Sequence, residues 1–390
     1  MSHCVDVLSL GYSTELLRTN EKPASDGAKR RLFYAERVES YTTLSLTRKS
    51  EGFVERELGN LRAIPTNGHD ILHALWRMYR LGSQVCSEGK INVIQAQEPN
   101  TTGLVGYLLK RIFKLPISIC VYGPNPWDKH WRRASFFNSL TAPLARYILH
   151  HADGIVVDGS LTLERLQQAG IARERLTWKP MIPSNIAEFA KADGDPLRES
   201  LLGDDFQHLL LCVGNMDKQK NVPFVLRALE GIVMRVPKTR LVMVGRGRRK
   251  GRYVHLARRL RLEEHILWLD AVPHEEIPTY FRACDILLLG SRFEGFPRVL
   301  MEAAAAGRAI VTTEVSGSTD GVIPNESGFV VAQGDLEGFV AHVVELLQDP
   351  EKAAAMGQRG QPLMHDLALK RQWFNQRQVE VWEEILRASR

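Results

Sequence analysis

SRFEGFPRVLMEAAAAGRAIVTT, residues 291–313, follows the apolar run DILLLG at 285–290. A short buried strand, a loop and then a helix is the simplest reading, and the apolar AIVTT that follows reads as the next strand of a parallel sheet. In such sheets ligands bind at the carboxyl ends of the strands, where the next helix begins. Pro297 suits the first helical position, because its missing N–H would lack an intrahelical partner there anyway. Phe296 then becomes the N-cap, and it offers no oxygen to the N–H groups of Arg298, Val299 and Leu300. Those donors and the positive end of the helix are open to an outside anion such as a phosphate. Glu294 lies in the loop before the helix, and Glu302 lies about 9 Å along the axis from Phe296 at 1.5 Å per residue. The two carboxylates are too far apart for a coupled acid–base dyad. They suit the two ends of one elongated ligand with phosphates between, such as a nucleotide carrying a sugar on its diphosphate.

The same rhythm extends in both directions. In the second half HLLLCVGN, RLVMVGRG, HILWLDAV, DILLLGS and RAIVTT read as strands separated by helical patterns. In the first half VDVLSLGY, YTTLSLT, INVIQAQ, PISICVYG and GIVVDGS do the same. Near-continuous apolar strands joined by helices predict parallel βαβ units with both sheet faces covered. The pattern breaks at 179–200, a stretch rich in Pro, Asp and Ser that reads as a linker. Two α/β domains are therefore expected, 1–182 and 183–370. The closing helix, 371–390, should pack back on the first domain through Trp373, Val379, Trp382 and Leu386.

The chain has 390 residues, 44% of them hydrophobic and 25% charged, as expected of a globular protein rather than a disordered one. No apolar run reaches the length of a membrane span, and the first residues read as a strand rather than a signal peptide. Five scattered cysteines without a CxxC, Cys4, Cys86, Cys120, Cys212 and Cys284, fit free thiols in a reducing cytoplasm. The formal charge of +6 falls wholly in the first half, where 24 Lys and Arg face 18 Asp and Glu in residues 1–190. KRIFK at 110–114 and NPWDKHWRRASFF at 125–137 interleave cations with Trp127, Trp131, Phe136 and Phe137. Such a mixture suits either an anionic membrane surface as a partner or a core with a wet rim. Nucleic acid is not expected, since zinc spacing, an RNP motif and a continuous basic helix are all absent. GRGRRKG at 245–251 has GxGxxxG spacing, which departs from the dinucleotide fingerprint. The DGD at 193–195 falls in the linker and reads as solvated loop, and no metal site is expected.

EGFPRVLME, a Glu-x7-Glu motif, resembles the fingerprint of retaining GT-B glycosyltransferases of family 4. The resemblance is specific in the second half, where LLLCVGNMDKQKNVPFVLRAL and RLVMVGRGRRKGRYVHLARRL resemble the family's glycine-and-lysine loop and second strand. It is looser in the first half, over VIQAQEPNTTGLVGYLLKRIFKLPISICVYG and ADGIVVDGS. It implies two Rossmann-like domains facing across a cleft, the first binding acceptor and the second a nucleotide sugar. Glu302 would bind the ribose hydroxyls and Glu294 the transferred sugar. Lys220 would neutralise the leaving diphosphate, without a cofactor or metal. Gly214, Asn215, Gly245 and Arg246 would line the donor, and the backbone of Gly295, Phe296, Arg298, Val299 and Leu300 would hold sugar and phosphate. The implied activity is transfer of a hexose to a glycan or lipid-linked acceptor, in bacterial surface polysaccharide synthesis. It would take place in the cytoplasm, with the protein peripheral on the inner face of the membrane. The chain departs from the pattern twice. Asn215 stands where an arginine is usual, so that Arg298 or Arg246 would supply the cation. Tyr122 stands where a histidine is usual beside the reacting sugar. With Tyr122 in that catalytic place the protein is an enzyme; if the imidazole is indispensable, it is a non-catalytic nucleotide-sugar-binding or partner subunit.

Overall fold

The computed structural model describes residues 5–18, 25–123 and 125–390. Cys4 lies outside them; the other four cysteines are free and buried. The chain divides into two compact units, Met1–Pro180 with Arg371–Arg390, and Met181–Lys370.

Unit 1 is built on eight strands: β1 (Asp6–Gly11), β2 (Ser40–Ser45), β3 (Arg56–Leu58), β4 (Leu61–Pro65), β5 (Val93–Ala96), β6 (Ile117–Val121), β7 (Gly154–Val157) and β8 (Leu176–Trp178). Their order in the sheet is β3-β4-β2-β1-β5-β6-β7-β8. All neighbours are parallel except β3 and β4, which form an antiparallel edge. Alternation along each strand feeds two cores. Leu8, Leu10, Ile94, Ile117 and Ile119 face the helices Ile71–Ser87, Thr101–Phe113 and Phe136–His150. Val7, Tyr41, Val93, Cys120 and Val156 face the helices Asp26–Ala35 and Arg371–Ala388. The closing helix buries Phe374, Gln378, Val379, Val381, Trp382, Ile385 and Leu386. Trp373, expected on that face, is instead exposed, because the buried stripe runs 374, 378, 381, 385 and leaves position 373 outside it.

Unit 2 contains β9 (His208–Val213), β10 (Thr239–Val244), β11 (Ile266–Leu269), β12 (Ile286–Leu289), β13 (Ala309–Thr313) and β14 (Gly328–Val331). The sheet is parallel throughout, in the order β11-β10-β9-β12-β13-β14. The chain winds from β9 to one edge, then returns to β12 and winds to the other. A crevice therefore opens at the carboxyl ends of β9 and β12. The stretch expected to be a linker contains two short helices, Ile186–Lys191 and Asp195–Leu202. They dock on this unit, with Phe189 edge-on to Phe281 at 5.3 Å. Gly194 is required there, since a Cβ would come within 2.4 Å of the Ala283 nitrogen. Asp193 and Asp195 on either side are exposed.

Candidate active site at the switch point of unit 2

The crevice between β9 and β12 is assembled from three loops that hold one another. Gly214 closes β9 with φ +147, and a Cβ there would stand 2.7 Å from the Lys220 side chain. The missing side chain is what lets Lys220 lie across the strand end. Gly245 closes β10 with φ +148, and its Cβ would fall 2.0 Å from the Gly214 carbonyl oxygen. The two loops are joined by the Gly214 amide donating to the Val244 carbonyl (2.9 Å) and the Met216 amide donating to that of Arg246 (2.8 Å). Asn215 and Arg246 are exposed on this rim.

Lys220 Nζ donates to Glu294 Oε1 at 2.6 Å. The same oxygen accepts from Ser291 Oγ at 2.8 Å, and Oε2 accepts from Gln219 Nε2 at 2.9 Å. The Arg292 amide donates to the Gln219 carbonyl (2.9 Å), and Arg292 Nε to Asn221 Oδ1 (3.1 Å), which ties the loop after β9 to the loop after β12. Thr313 Oγ1 and Gln333 Nε2 both donate to the Ser291 carbonyl, so β13 and the loop after β14 brace it from behind. Gln219 and Ser291 carried no distinctive signal in the sequence. Their position beside Lys220 and at the end of the DILLLG strand was the only hint.

The helix after this loop is Arg298–Ala305, with Pro297 as N-cap and no side-chain cap hydrogen bond. This shifts the expected start by one residue: Pro297 is outside the helix and Arg298 is its first residue. The reason is the tight closing turn, in which the Leu300 amide donates to the Pro297 carbonyl at 3.0 Å. The Leu300 amide is thus already engaged inside the protein, and its expected role in holding phosphate is corrected. Gly295, Phe296, Arg298 and Val299 surround the helix start, and the Gly317 backbone packs against it so closely that a Cβ would meet the Gly295 oxygen at 2.9 Å.

Glu302 follows one turn after Arg298, on the same helix face. It is buried and makes no hydrogen bond to another side chain among the described residues. Burial pushes its carboxyl up to about 7, against the pull of Arg298 and Lys220. A buried carboxyl kept short of partners is poised to accept hydrogen bonds from a ligand.

Tyr122 belongs to unit 1 and follows β6. Its phenol is turned into the packing beneath the closing helix, where the hydroxyl donates to Gln378 Oε1 at 3.4 Å. Desolvation first, then the Cys120 thiol, raises its pKa well above the ordinary value. Lys179 Nζ lies 5.6 Å from the Tyr122 ring centroid and 6.0 Å from that of Tyr34. Lys179 is itself fully buried, and burial followed by the nearby Arg30 lowers its pKa to about 7. In the sequence Lys179 opens the Pro-, Asp- and Ser-rich stretch that reads as a linker. Across the switch point of unit 1, Tyr12 at the end of β1 donates from its hydroxyl to Glu98 after β5 at 3.3 Å.

Residues 195–362 match the family model described as Glycosyl transferases group 1. That stretch is a glycosyl transferases group 1 domain. It holds every crevice residue named above. The GDP-mannose-dependent alpha-(1-6)-phosphatidylinositol monomannoside mannosyltransferase of Mycolicibacterium smegmatis is 31% identical over 166 residues, covering 41% of this chain and 43% of that protein. The D-inositol 3-phosphate glycosyltransferase 2 of Catenulispora acidiphila is 29% identical over 274 residues, covering 66% of this chain and 63% of its own. The chain thus spans less than half of the first relative and just under two thirds of the second. The whole fold resembles sucrose-phosphate synthase from Thermosynechococcus elongatus, with a TM-score of 0.79 at 17% identity, covering 98% of this chain and 100% of that one. The fold is GT-B. Anabaena Alr3699/HepE, solved in complex with UDP-glucose, gives a TM-score of 0.69 at 17% identity, covering 97% of this chain and 99% of that one.

Proposed function

We propose that this chain is a retaining glycosyltransferase that moves a hexose from a nucleotide sugar to a hydroxyl of a glycan or glycolipid. The observation that carries the proposal is the succession of groups along the crevice: the Lys220–Glu294 pair, then the uncapped helix start, then buried Glu302. The group 1 domain and relatives named as glycosyltransferases support it. Glu302 accepts from the ribose hydroxyls. Lys220 and the amides at the helix start take the diphosphate, and a cation already in place stabilises the charge that builds as it leaves. Glu294, fixed by Ser291 and Gln219, accepts from hydroxyls of the transferred sugar. Arg298 supplies the cation that Asn215 does not.

Unit 1 takes the acceptor, a component of bacterial surface polysaccharide synthesis on this reading. The protein works in the cytoplasm, peripheral on the inner, anionic face of the membrane. Among the described residues no helix is long and apolar enough to cross a membrane. A thermal-shift panel of UDP-, GDP-, ADP- and dTDP-sugars tests the donor assignment, and stabilisation by none of them would overturn it. Turnover is expected to survive EDTA, because Lys220 and the helix start hold the diphosphate; loss on chelation with rescue by Mn²⁺ would overturn the metal-independent route. One observation favours a second reading, a donor-binding protein without catalysis: the Tyr122 hydroxyl is committed to Gln378 inside unit 1. Sugar transfer by the purified protein decides between them.

A further inference from the structure

The sequence leaves Trp127 and Trp131 to either a membrane surface or a core with a wet rim, and the structure half-buries both. Trp127 is half-buried against His150, with the Arg146 guanidinium 5.4 Å from its ring centroid. Trp131 is half-buried, and its carbonyl accepts from Asn138 Nδ2. The exposed apolar groups lie elsewhere. On the helix Phe136–His150, Ala142, Ala145, Ile148 and Leu149 face the core. Its opposite side presents Phe136 (83% exposed), Phe137 (56%), Leu140 (66%), Leu144 and Tyr147. These recur along one side for three turns, and a helix that is apolar on both sides calls for a cover on each. The neighbouring helix Thr101–Phe113, joined to it by the Tyr107–Tyr147 ring contact, adds exposed Leu108 and Ile112.

The surrounding charge selects the cover. Residues 101–152 contain seven Lys and Arg and a single acid, Asp128, an excess equal to the whole +6 of the chain. Asp128 is occupied in capping His130 and Trp131 and in an ion pair with Arg165. Arg111, Lys114, Lys129 and Arg133 are exposed around the apolar stripe. A second copy of the chain would bring the same cations face to face, which disfavours self-association. Apolar side chains bordered by cations suit an anionic bilayer interface, in which the rings and Leu enter the acyl boundary and the cations stay among the headgroups.

We propose that the outward face of the helix Phe136–His150, led by Phe136, Phe137 and Leu140, inserts into an anionic bilayer surface. The proposal names the membrane partner of the acceptor reading above, and rests on that reading for its purpose: a transferase held there meets a lipid-linked acceptor in the plane of the membrane.

The test uses the full chain and vesicles of phosphatidylcholine alone or with about a third phosphatidylglycerol. Wild type should sediment with the anionic vesicles and much less with the neutral ones. The variant Phe136→Ser/Phe137→Ser/Leu140→Ser should partition roughly tenfold more weakly. Lys129→Gln/Arg133→Gln should bind more weakly and lose part of its salt dependence, while Met234→Ser, an exposed apolar change in unit 2, should sediment like wild type. Equal sedimentation of wild type with both vesicle types, or full retention by the serine variant, overturns the proposal. So does a wild-type dimer that the serine changes split, which would make the face a self-association surface. Calorimetric nucleotide binding, measured without vesicles, reports on the donor reading separately, and the serine variant should leave it unchanged.

Discussion

Lys220 and Glu294 lie at the ends of neighbouring strands β9 and β12 and meet as an ion pair of 2.6 Å. The pair closes the switch point of the group 1 domain, and Ser291 and Gln219 hold the carboxylate from its other sides. Without a ligand the cation at this point is already neutralised. On the proposed function a nucleotide diphosphate would compete with Glu294 for Lys220, and an intact nucleotide sugar would satisfy both groups at once.

The first consequence is a division of labour between the carboxylates. Glu302→Ala is expected to weaken free nucleotide binding by about 1.5–3 kcal/mol, the range for hydrogen bonds to a charged group. Glu294→Ala frees Lys220 from its carboxylate partner, so free nucleotide should bind as well as or better than to wild type, while use of the intact sugar donor is impaired. Calorimetry with nucleotide and with nucleotide sugar separates the two, and equal losses on nucleotide alone would contradict the assignment.

Glu302 also sets a pH dependence. Its carboxyl titrates near 7 when folded, against an ordinary 4.5. Between those values the folded protein holds a proton that the unfolded chain has released, so stability falls as pH rises through the window. The favourable contribution is complete below about 4.5 and gone above about 7. Glu302→Gln removes the cost of the buried charge. Relative to wild type it should gain roughly 1–3 kcal/mol between pH 5 and pH 8 in urea denaturation. Nucleotide affinity of wild type should rise over the same interval, because the ionised carboxylate is the acceptor.

Gly245→Ala tests the joint between the first two loops. A methyl group 2.0 Å from the Gly214 oxygen cannot be accommodated unless the loops part, and φ +148 is itself unfavourable for alanine. A stability loss of about 2 kcal/mol or more is expected, with nucleotide affinity reduced alongside. Gly334→Ala, also at positive φ but with open space around the Cβ, is the control for backbone strain alone.

For Tyr122 the structure predicts a change in stability. Tyr122→Phe removes the hydroxyl from Gln378 and should cost unit 1 about 0.5–1.5 kcal/mol, read by thermal or urea unfolding. If turnover falls well beyond that loss, with nucleotide affinity intact, the phenol takes part near the sugar. Sugar transfer that is absent in wild type and appears in Tyr122→His would favour the binding-protein reading.

The sequence made the site more legible than the fold's edges. Long apolar runs such as HLLLCV and DILLLG can hardly be anything but buried strands, with Lys220 in the loop after the first and Glu294 and Glu302 in the loop and helix after the second. The short strands β3, β4, β8 and β14 were missed, being brief or polar and held by their neighbours more than by their own pattern. The helices within 186–202 were hidden by Pro, Asp and Gly, which mark their boundaries as readily as a linker. Lys179 could not have been foreseen. A lysine is seldom fully enclosed, and only the fold brings Tyr34, Tyr122 and Cys120 around it.

The closing helix imposes an order on biosynthesis. Unit 2 is one continuous stretch, but unit 1 is interrupted at residue 180 and finished only by Arg371–Ala388. Until that segment leaves the ribosome, one face of the first sheet is covered only by the helix Asp26–Ala35, and Tyr34 and Tyr41 lack the Trp382 ring they pack against. Unit 1, begun before unit 2, is therefore completed after it. A chain stopped at residue 370 should leave unit 2 able to bind nucleotide, with unit 1 open to proteolysis and dependent on chaperones.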